Sequence, residues 1–385
     1  MNYLQPIALR INAYVNNVIT GRQKGPAPVL IQFVLTPMSW LYSVVVRVRN
    51  RLYSSGMLKV KRLPCPIISV GNIVAGGTGK TPTVIWIAKH LQTKGYPVAV
   101  LLRGYGRQYR SAMTVVSDGN QILGCVEECG DEAMMIARAV PGCIVIVGKN
   151  RYDAGCAAIR MMGVSTGVLI LDDGFQHRRL YRGLDIVTVD STQPLGSGKL
   201  LPAGTLRETN AALKRADVVL LTRTDQQLAP TFQSTRPAAS KSAALEGIVD
   251  PDNFYESRHC PTALYELKSR QPIPLDWLSG KRILAVCGIG APDAFAETLR
   301  QHGAAQVTLI AYPDHHRYRL DDYKQISAQF GEIGADMIVT TEKDAQRMAG
   351  FEGLRCFVLA VALEITKNQI GFSRRLMHAI RPTHS

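Results

Sequence analysis

Acidic residues are scarce in this chain of 385 residues: 30 Asp and Glu stand against 45 Lys and Arg, leaving a formal net charge of +15. That shortage points to anionic partners such as nucleic acid, a membrane surface or an anionic substrate, and charge alone does not choose among them. Cysteines number 8 but form no C-x-x-C pair. Cys125 and Cys129 are the closest, and no His/Cys pair follows them at zinc spacing, so the thiols read as reduced core residues in a cytosolic setting. There is no internal repeat and no low-complexity tract. The guanine-reading pattern N-K-x-D is absent too; TEKD at 341–344 is a distant echo.

Charge is missing altogether from Gly25 to Val46, GPAPVLIQFVLTPMSWLYSVVV, after which Arg47, Arg49 and Arg51 follow. A spanning helix needs about 20 apolar residues, but Pro26, Pro28, Gln32 and Pro37 interrupt this run, and Trp40 and Tyr42 suit the headgroup level. The apolar part begins late and no A-x-A-like site ends it, unlike a cleaved signal peptide. The run reads as a segment lying in the membrane interface, with its arginines on anionic headgroups. A true span is the alternative. Residues 1–24, with Ile7, Ile11, Tyr14 and Val18 at near-helical spacing, extend that contact or stay loose.

Beyond residue 60, short apolar runs alternate with helical stretches, as in a parallel sheet covered by helices. Strands are expected at 66–70, 98–102, 114–117, 143–147, 168–171, 185–189 and 218–222. A polar stretch at 225–245 reads as a linker, and a second α/β unit follows with strands near 282–289, 306–311, 337–341 and 356–363. The expected fold class is α/β: a P-loop-type, mainly parallel sheet flanked by helices, with a second smaller α/β domain and an N-terminal membrane-interface helix. Residues 1–50 form the membrane segment, 51–225 the P-loop domain and 226–385 the second domain.

One glycine is also missing where it matters. VAGGTGKT (74–81) fits the phosphate-loop pattern G-x-x-x-x-G-K-[ST] except that Val74 stands at the first glycine. The strand PIISV precedes it and Thr81-Pro82 opens a helix. That context presents backbone N–H groups of Ala75, Gly76, Gly77, Thr78 and Gly79, and a positive helix end, to an anion. Lys80 then reaches the β- and γ-phosphates, and the Thr81 hydroxyl ligates Mg²⁺. A tight turn with a surface lysine is the plainer alternative. VLILDDG ends a strand in Asp172 and Asp173, hard oxygen ligands for a Mg²⁺ ion beside ATP, or simply turn residues. GDEAMM places Asp131 and Glu132 at a helix start, where N-capping is the plain reading. PDHHRY brings Asp314, His315 and His316 without a third metal ligand. RGYGR and HRRLYRG cluster arginines that elsewhere make a solvated basic face.

Taken together these segments resemble the tetraacyldisaccharide 4'-kinase family of lipid A synthesis. The resemblance rests on SVGNIVAGGTGKTP, LRGYGR, GDEAMM, VGKNRYDAG, LILDDGFQHRRL, LLPAGTLRE, AYPDHHRY and TTEKDAQRM in that order, over about residues 35–350. Leu102 and Ala133 depart mildly from the family's frequent serine and proline. The resemblance implies an enzyme on the cytoplasmic face of an inner membrane, monotopic or peripheral. It moves the γ-phosphoryl of ATP, with Mg²⁺, to the 4'-hydroxyl of an acylated disaccharide 1-phosphate lipid, forming lipid IVA. Its implied partners are that lipid and an anionic membrane surface, not nucleic acid. It also implies that Lys80 and Thr81 serve the phosphates and metal, and that Asp172 and Asp173 fill the Walker-B position. Asp131 is implied as base and His315 as its partner from the second domain. Glu132, Arg151, Gln176, His177, Arg207 and Glu208 are further active-site positions. A base partner on another domain makes hinge closure around bound substrates the expected way to assemble the dyad. The rival reading is a membrane-associated P-loop ATPase or GTPase without a lipid acceptor.

Overall fold

A computed structural model describes residues 14–15, 18–20, 23, 25–105, 107–108, 111–163, 166–226, 245–348 and 355–381. Most of residues 1–24 and of the expected linker at 225–245 lie outside them. Thirteen described strands form one sheet. In chain order they are β1 (Ile67–Gly71), β2 (Val98–Leu102), β3 (Met113–Asp118), β4 (Ile144–Gly148), β5 (Val168–Asp172), β6 (Leu184–Asp190) and β7 (Val218–Thr222). There follow β8 (Phe254–Glu266), β9 (Pro272–Ile273), β10 (Arg282–Cys287), β11 (Gln306–Ala311), β12 (Met337–Thr341) and β13 (Cys356–Lys367). The spatial order is β11-β10-β12-β13-β8-β7-β6-β1-β5-β2-β4-β3, with β9 beside β8. Pairings are parallel except β3–β4, β8–β13 and β8–β9.

The five-residue strands β1, β2, β4, β5 and β7 are buried throughout, as expected of apolar runs covered on both faces. Truncating one of their fully buried isoleucines, such as Ile68→Ala, costs about 2–5 kcal/mol. Helix α2 (Lys80–Thr93) buries Val84, Ile87, Ala88 and Leu91, whose three- and four-residue spacing puts them on one face. Helices α4 (Asp131–Ala139) and α5 (Arg151–Met162) follow the short α3 (Val126–Cys129). In the second half come α6 (Pro292–Gln301), α7 (Leu320–Glu332), α8 (Glu342–Ala345) and α9 (Gln369–Ile380).

Two features differ from the sequence expectation. The long strand β8 was unforeseen, because FYESRHCPTALYE mixes polar and apolar residues with no long apolar run and contains Pro261. It pairs with β7 on one side and β13 on the other and so makes the sheet continuous. Helix α9 also crosses back: Phe372, Leu376 and Ile380 join the core of Ile68, Leu91, Ile186 and Leu220.

The N-terminal run forms the expected helix, α1 (Pro26–Ser54), continuous through Pro37. Pro26 and Pro28 lie in its first turn, where the missing N–H has no intrahelical partner anyway. At Pro37 the helix continues, and the Thr36 hydroxyl donates back to the Gln32 carbonyl at 2.6 Å. The helix is long and apolar enough to cross a membrane by length and composition. Its narrow polar stripe docks instead on residues 200–208. Ser39 donates to the Leu200 carbonyl (2.8 Å), Tyr42 to the Arg207 carbonyl (2.9 Å) and Asn50 to Glu208 (2.7 Å). The opposite flank, including Phe33, Trp40, Leu41 and Val45, is exposed.

Candidate active site

The loop between β1 and α2 is held by polar contacts, one within the loop and others from distant segments. Asn72, fully buried, donates to the Thr78 hydroxyl at 2.9 Å, and Thr78 meets Thr188 at 2.9 Å. Arg223 donates to the Gly77 carbonyl at 2.8 Å and also pairs with Asp190. Gly76 (φ 127°) and Gly79 (φ 82°) adopt backbone angles that side-chained residues rarely take. Val74 lies extended, bridged to Leu206, while Ala75 N–H donates to the Thr205 carbonyl at 2.7 Å. The position of the missing glycine is thus strand-like and has no need of one.

The two aspartates at the end of β5 diverge. Asp173 (φ 55°) accepts both hydrogen bonds of Arg207, at 2.7 and 2.8 Å, and lies 3.6 Å from Lys80 Nζ. Burial would raise its pKa, but Lys80 and Arg207 hold it below the ordinary carboxylate value. Asp172 is buried with Oδ1 unpartnered, and desolvation, with Glu132 nearby, pushes it up to about 7. A recess of about 20 Å³ adjoins it, lined among others by Arg103, Tyr105, Glu132 and Asp173.

Across the cleft, His315 Nδ1 lies 3.1 Å from both carboxylate oxygens of Asp131. Asp131 starts α4; His315 follows β11, with its backbone at φ 60°, and its N–H reaches the Gly288 carbonyl at 3.3 Å. Burial favours a neutral Asp131, yet the His315 hydrogen bond and the charges of Lys343, His315 and Arg347 together hold its pKa below the usual value. Burial likewise disfavours protonated His315, but Asp131 prevails and raises it. Lys343 Nζ reaches Glu132 (3.2 Å), Asp314 (3.0 Å) and His315 Nε2 (3.2 Å). Arg347 Nε stands 3.4 Å from Asp131. The pair expected only after hinge closure is therefore already in contact, bound by a charged lattice that spans the halves. Gly290 adds to this seam: a Cβ there would come within 2.5 Å of the Gly77 nitrogen.

Between these walls lies a cavity of about 360 Å³. Of the expected residues, Gly76, Gly77, Thr78, Gly79, Lys80, Thr81, Glu132, Asp173, Arg207 and His315 line it. The others stand behind it. Arg151 is buried and donates to the Gly148 and Asp172 carbonyls at 3.3 and 3.4 Å; desolvation lowers its pKa to about 10. Gln176 props the loop through the Asn72 carbonyl (2.8 Å). Burial and nearby arginines lower His177 to about 4. Glu208 turns away beneath α1, where Asn50 and Arg215 hold it.

Sequence reasoning assigned no role to Asn72, Arg223, His259, Gly290, Lys343 or Arg347. Lys343 and Arg347 sit in TTEKDAQRM, a segment singled out without individual roles. His259, on the unforeseen β8, had no signal. Its Nε2 is buried, unpartnered and near Gly79, and burial lowers its pKa to about 3, keeping the ring neutral.

A glycine loop with its lysine, two acids at the neighbouring strand end and a carboxylate–imidazole pair facing them define a P-loop phosphotransferase acting on a hydroxyl. The family model described as tetraacyldisaccharide-1-P 4'-kinase matches residues 31–381, and the chain belongs to that family. It is 42% identical over 368 residues to a tetraacyldisaccharide 4'-kinase of Syntrophus aciditrophicus, covering 94% of this chain and 96% of that one. Over 337 residues it is 38% identical to the enzyme of the same name from Geobacter metallireducens, covering 88% and 94%. The crystal structure of LpxK from Aquifex aeolicus in complex with ATP is similar with a TM-score of 0.69 and 28% identity, over 91% of this chain and 99% of that one.

Proposed function

We propose that this chain is a tetraacyldisaccharide 4'-kinase, passing the γ-phosphoryl group of ATP to the 4'-hydroxyl of an acylated disaccharide 1-phosphate to form lipid IVA. One observation carries the reading: the phosphate loop with Lys80 and the imidazole of His315, which holds the buried Asp131 carboxylate behind it, line one cavity. ATP hydrolysis alone needs no such pair aimed at an acceptor.

The loop N–H groups and Lys80 hold the β- and γ-phosphates, and the Arg207–Asp173 pair fixes where Lys80 points. The acceptor oxygen attacks the γ-phosphorus, the bond to the β,γ-bridging oxygen breaks, and ADP leaves with that oxygen. Asp131 takes the acceptor's proton, and His315 orients the carboxylate and shares the charge. The orphaned Oδ1 of Asp172 beside its small recess, with the Thr81 hydroxyl at the cavity, fits the hard-oxygen donor set of Mg²⁺. When bound there, the ion neutralises charge on the phosphates. Asp173, committed to Arg207 and Lys80, serves better as an outer support than as a direct ligand.

Helix α1, with its exposed apolar flank and the net charge of +15, suits attachment to the cytoplasmic face of an anionic inner membrane. The two halves of the sheet, split near 225/226, act as separate units with the cavity at their seam, and α9 ties the second to the first.

The test is to incubate purified protein with γ-labelled Mg-ATP and the disaccharide 1-phosphate lipid. Label is expected on the lipid. Release of label only as inorganic phosphate, from folded protein, rejects the kinase in favour of an ATPase.

A further inference from the structure

A second basic cavity, of about 440 Å³, opens between α1 and residues 200–215, on the other side of residues 207–208 from the catalytic cleft. Arg207 and Glu208 are consecutive, yet the first faces Asp173 and the second lies under α1. On the helix, Ser43, Val46, Arg47, Asn50, Arg51 and Ser54 recur at three- and four-residue steps and so share one face. Arg178, from the HRRLYRG cluster, and Arg215 face them.

The charges here do not balance. Four guanidinium groups surround one carboxylate, Glu208, which is 1% exposed and already accepts from Asn50 (2.7 Å) and Arg215 (3.1 Å). Arg47 and Arg51 are exposed and have no side-chain partner among the described residues. Arg178 donates to the Asn50 carbonyl (2.8 Å) and the Ser54 hydroxyl (3.2 Å) and lies over the Tyr53 ring, with no carboxylate partner among the described residues. Two buried donors have no hydrogen-bond partner among the described residues: Arg215 Nη1, and the hydroxyl of Ser43, a residue only 4% exposed. Burial lowers the pKa values of both Arg178 and Arg215; neighbouring arginines add to this at Arg178, whereas Glu208 opposes it at Arg215.

From this geometry we infer a second anion site, which binds a phosphate group carried by a lipid, between α1 and the Arg178–Arg215 wall. Planar guanidinium groups are the side chains best matched to phosphate oxygens, and the stranded hydroxyl of Ser43 supplies a neutral donor. The lipid follows from position. The arginines begin where the exposed apolar flank of α1 ends, the level at which a headgroup lies if that flank contacts acyl chains. Two sources carry this chemistry, the 1-phosphate of the acceptor and the headgroup of a bulk anionic phospholipid. The inference rests on the chain working at a lipid surface, but its first test needs no catalysis.

Full-length protein, with its phosphate loop filled by a non-hydrolysable ATP analogue, is titrated by calorimetry with monomeric dihexanoyl phosphatidic acid and dihexanoyl phosphatidylcholine. The phosphatidic acid is expected to bind and the zwitterion not. Arg47→Gln with Arg51→Gln, both exposed and therefore safe for folding, weakens binding about tenfold, and Ser43→Ala weakens it less; analogue affinity stays unchanged in both. Equal binding of both lipids, or wild-type affinity in the folded double variant, overturns the site. Transfer kinetics then identify the source, using acceptors with and without the 1-phosphate. If the KM penalty for losing that phosphate vanishes in the double variant, the substrate fills the site. If the variant instead loses stimulation by anionic phospholipid with both acceptors alike, a bulk headgroup does; neither effect overturns the proposal.

Discussion

The two walls of the catalytic cavity are made in opposite ways. The phosphate wall is short in sequence and held by backbone: Gly76 and Gly79 set its shape, and Asn72 and Thr78 lock it from within. The acceptor wall joins residues 184 positions apart in Asp131 and His315, and side-chain charges hold it together. Loss of Lys80 from the phosphate wall removes charge that holds the nucleotide itself, whereas loss of Asp131 leaves the nucleotide bound and removes only the acceptor's base. The walls should therefore fail differently.

The largest effect is expected at Asp131. Asp131→Ala lowers kcat by about 10²–10⁴-fold while ATP-analogue affinity stays within error; steady-state kinetics and calorimetry on one preparation check both. Lys80→Ala acts on the opposite wall, weakening analogue binding and slowing transfer by about 10²–10³-fold. If it spared nucleotide binding, the division between walls would blur.

His315→Ala is milder, about tenfold in kcat, and its signature is the pH profile. Asp131 raises the His315 pKa, and the pair accepts the acceptor's proton only after losing its own. The rate should therefore rise with pH through a limb above the ordinary histidine value, and the variant's limb should drop toward the carboxylate range. The smallest effect belongs to the seam. In Gly290→Ala the new Cβ presses on the Gly77 backbone, costing about 1–3 kcal/mol. A modest fall in kcat/KM with a melting temperature lowered by a few degrees is expected from kinetics and thermal unfolding.

The same contrast explains what was legible in the sequence. The phosphate wall was readable because its signals are local: a buried strand, glycines, Lys80, then a proline in the first helical turn. Asp131 and His315 were found through family resemblance; spacing alone left them as a cap and an ordinary histidine. Lys343 and Arg347, which set their charge state, are common surface residue types and become meaningful only when β12 and α8 carry them across the cleft. Strand β8 and His259 escaped because a strand of mixed polarity held between β7 and β13 shows no long apolar run. Helix α1 was legible as a helix despite its prolines, two of which fall in its first turn. The role of Glu208 beneath that helix could not be read without the docking itself.

The most direct measurement of the central claim compares Asp131→Ala and Lys80→Ala for ATP-analogue binding and single-turnover phosphate transfer to the lipid acceptor, side by side. The account predicts that Asp131→Ala binds nucleotide like wild type and fails to transfer, whereas Lys80→Ala loses both. Nucleotide affinity falling equally in the two variants, or rapid transfer by Asp131→Ala, would contradict it.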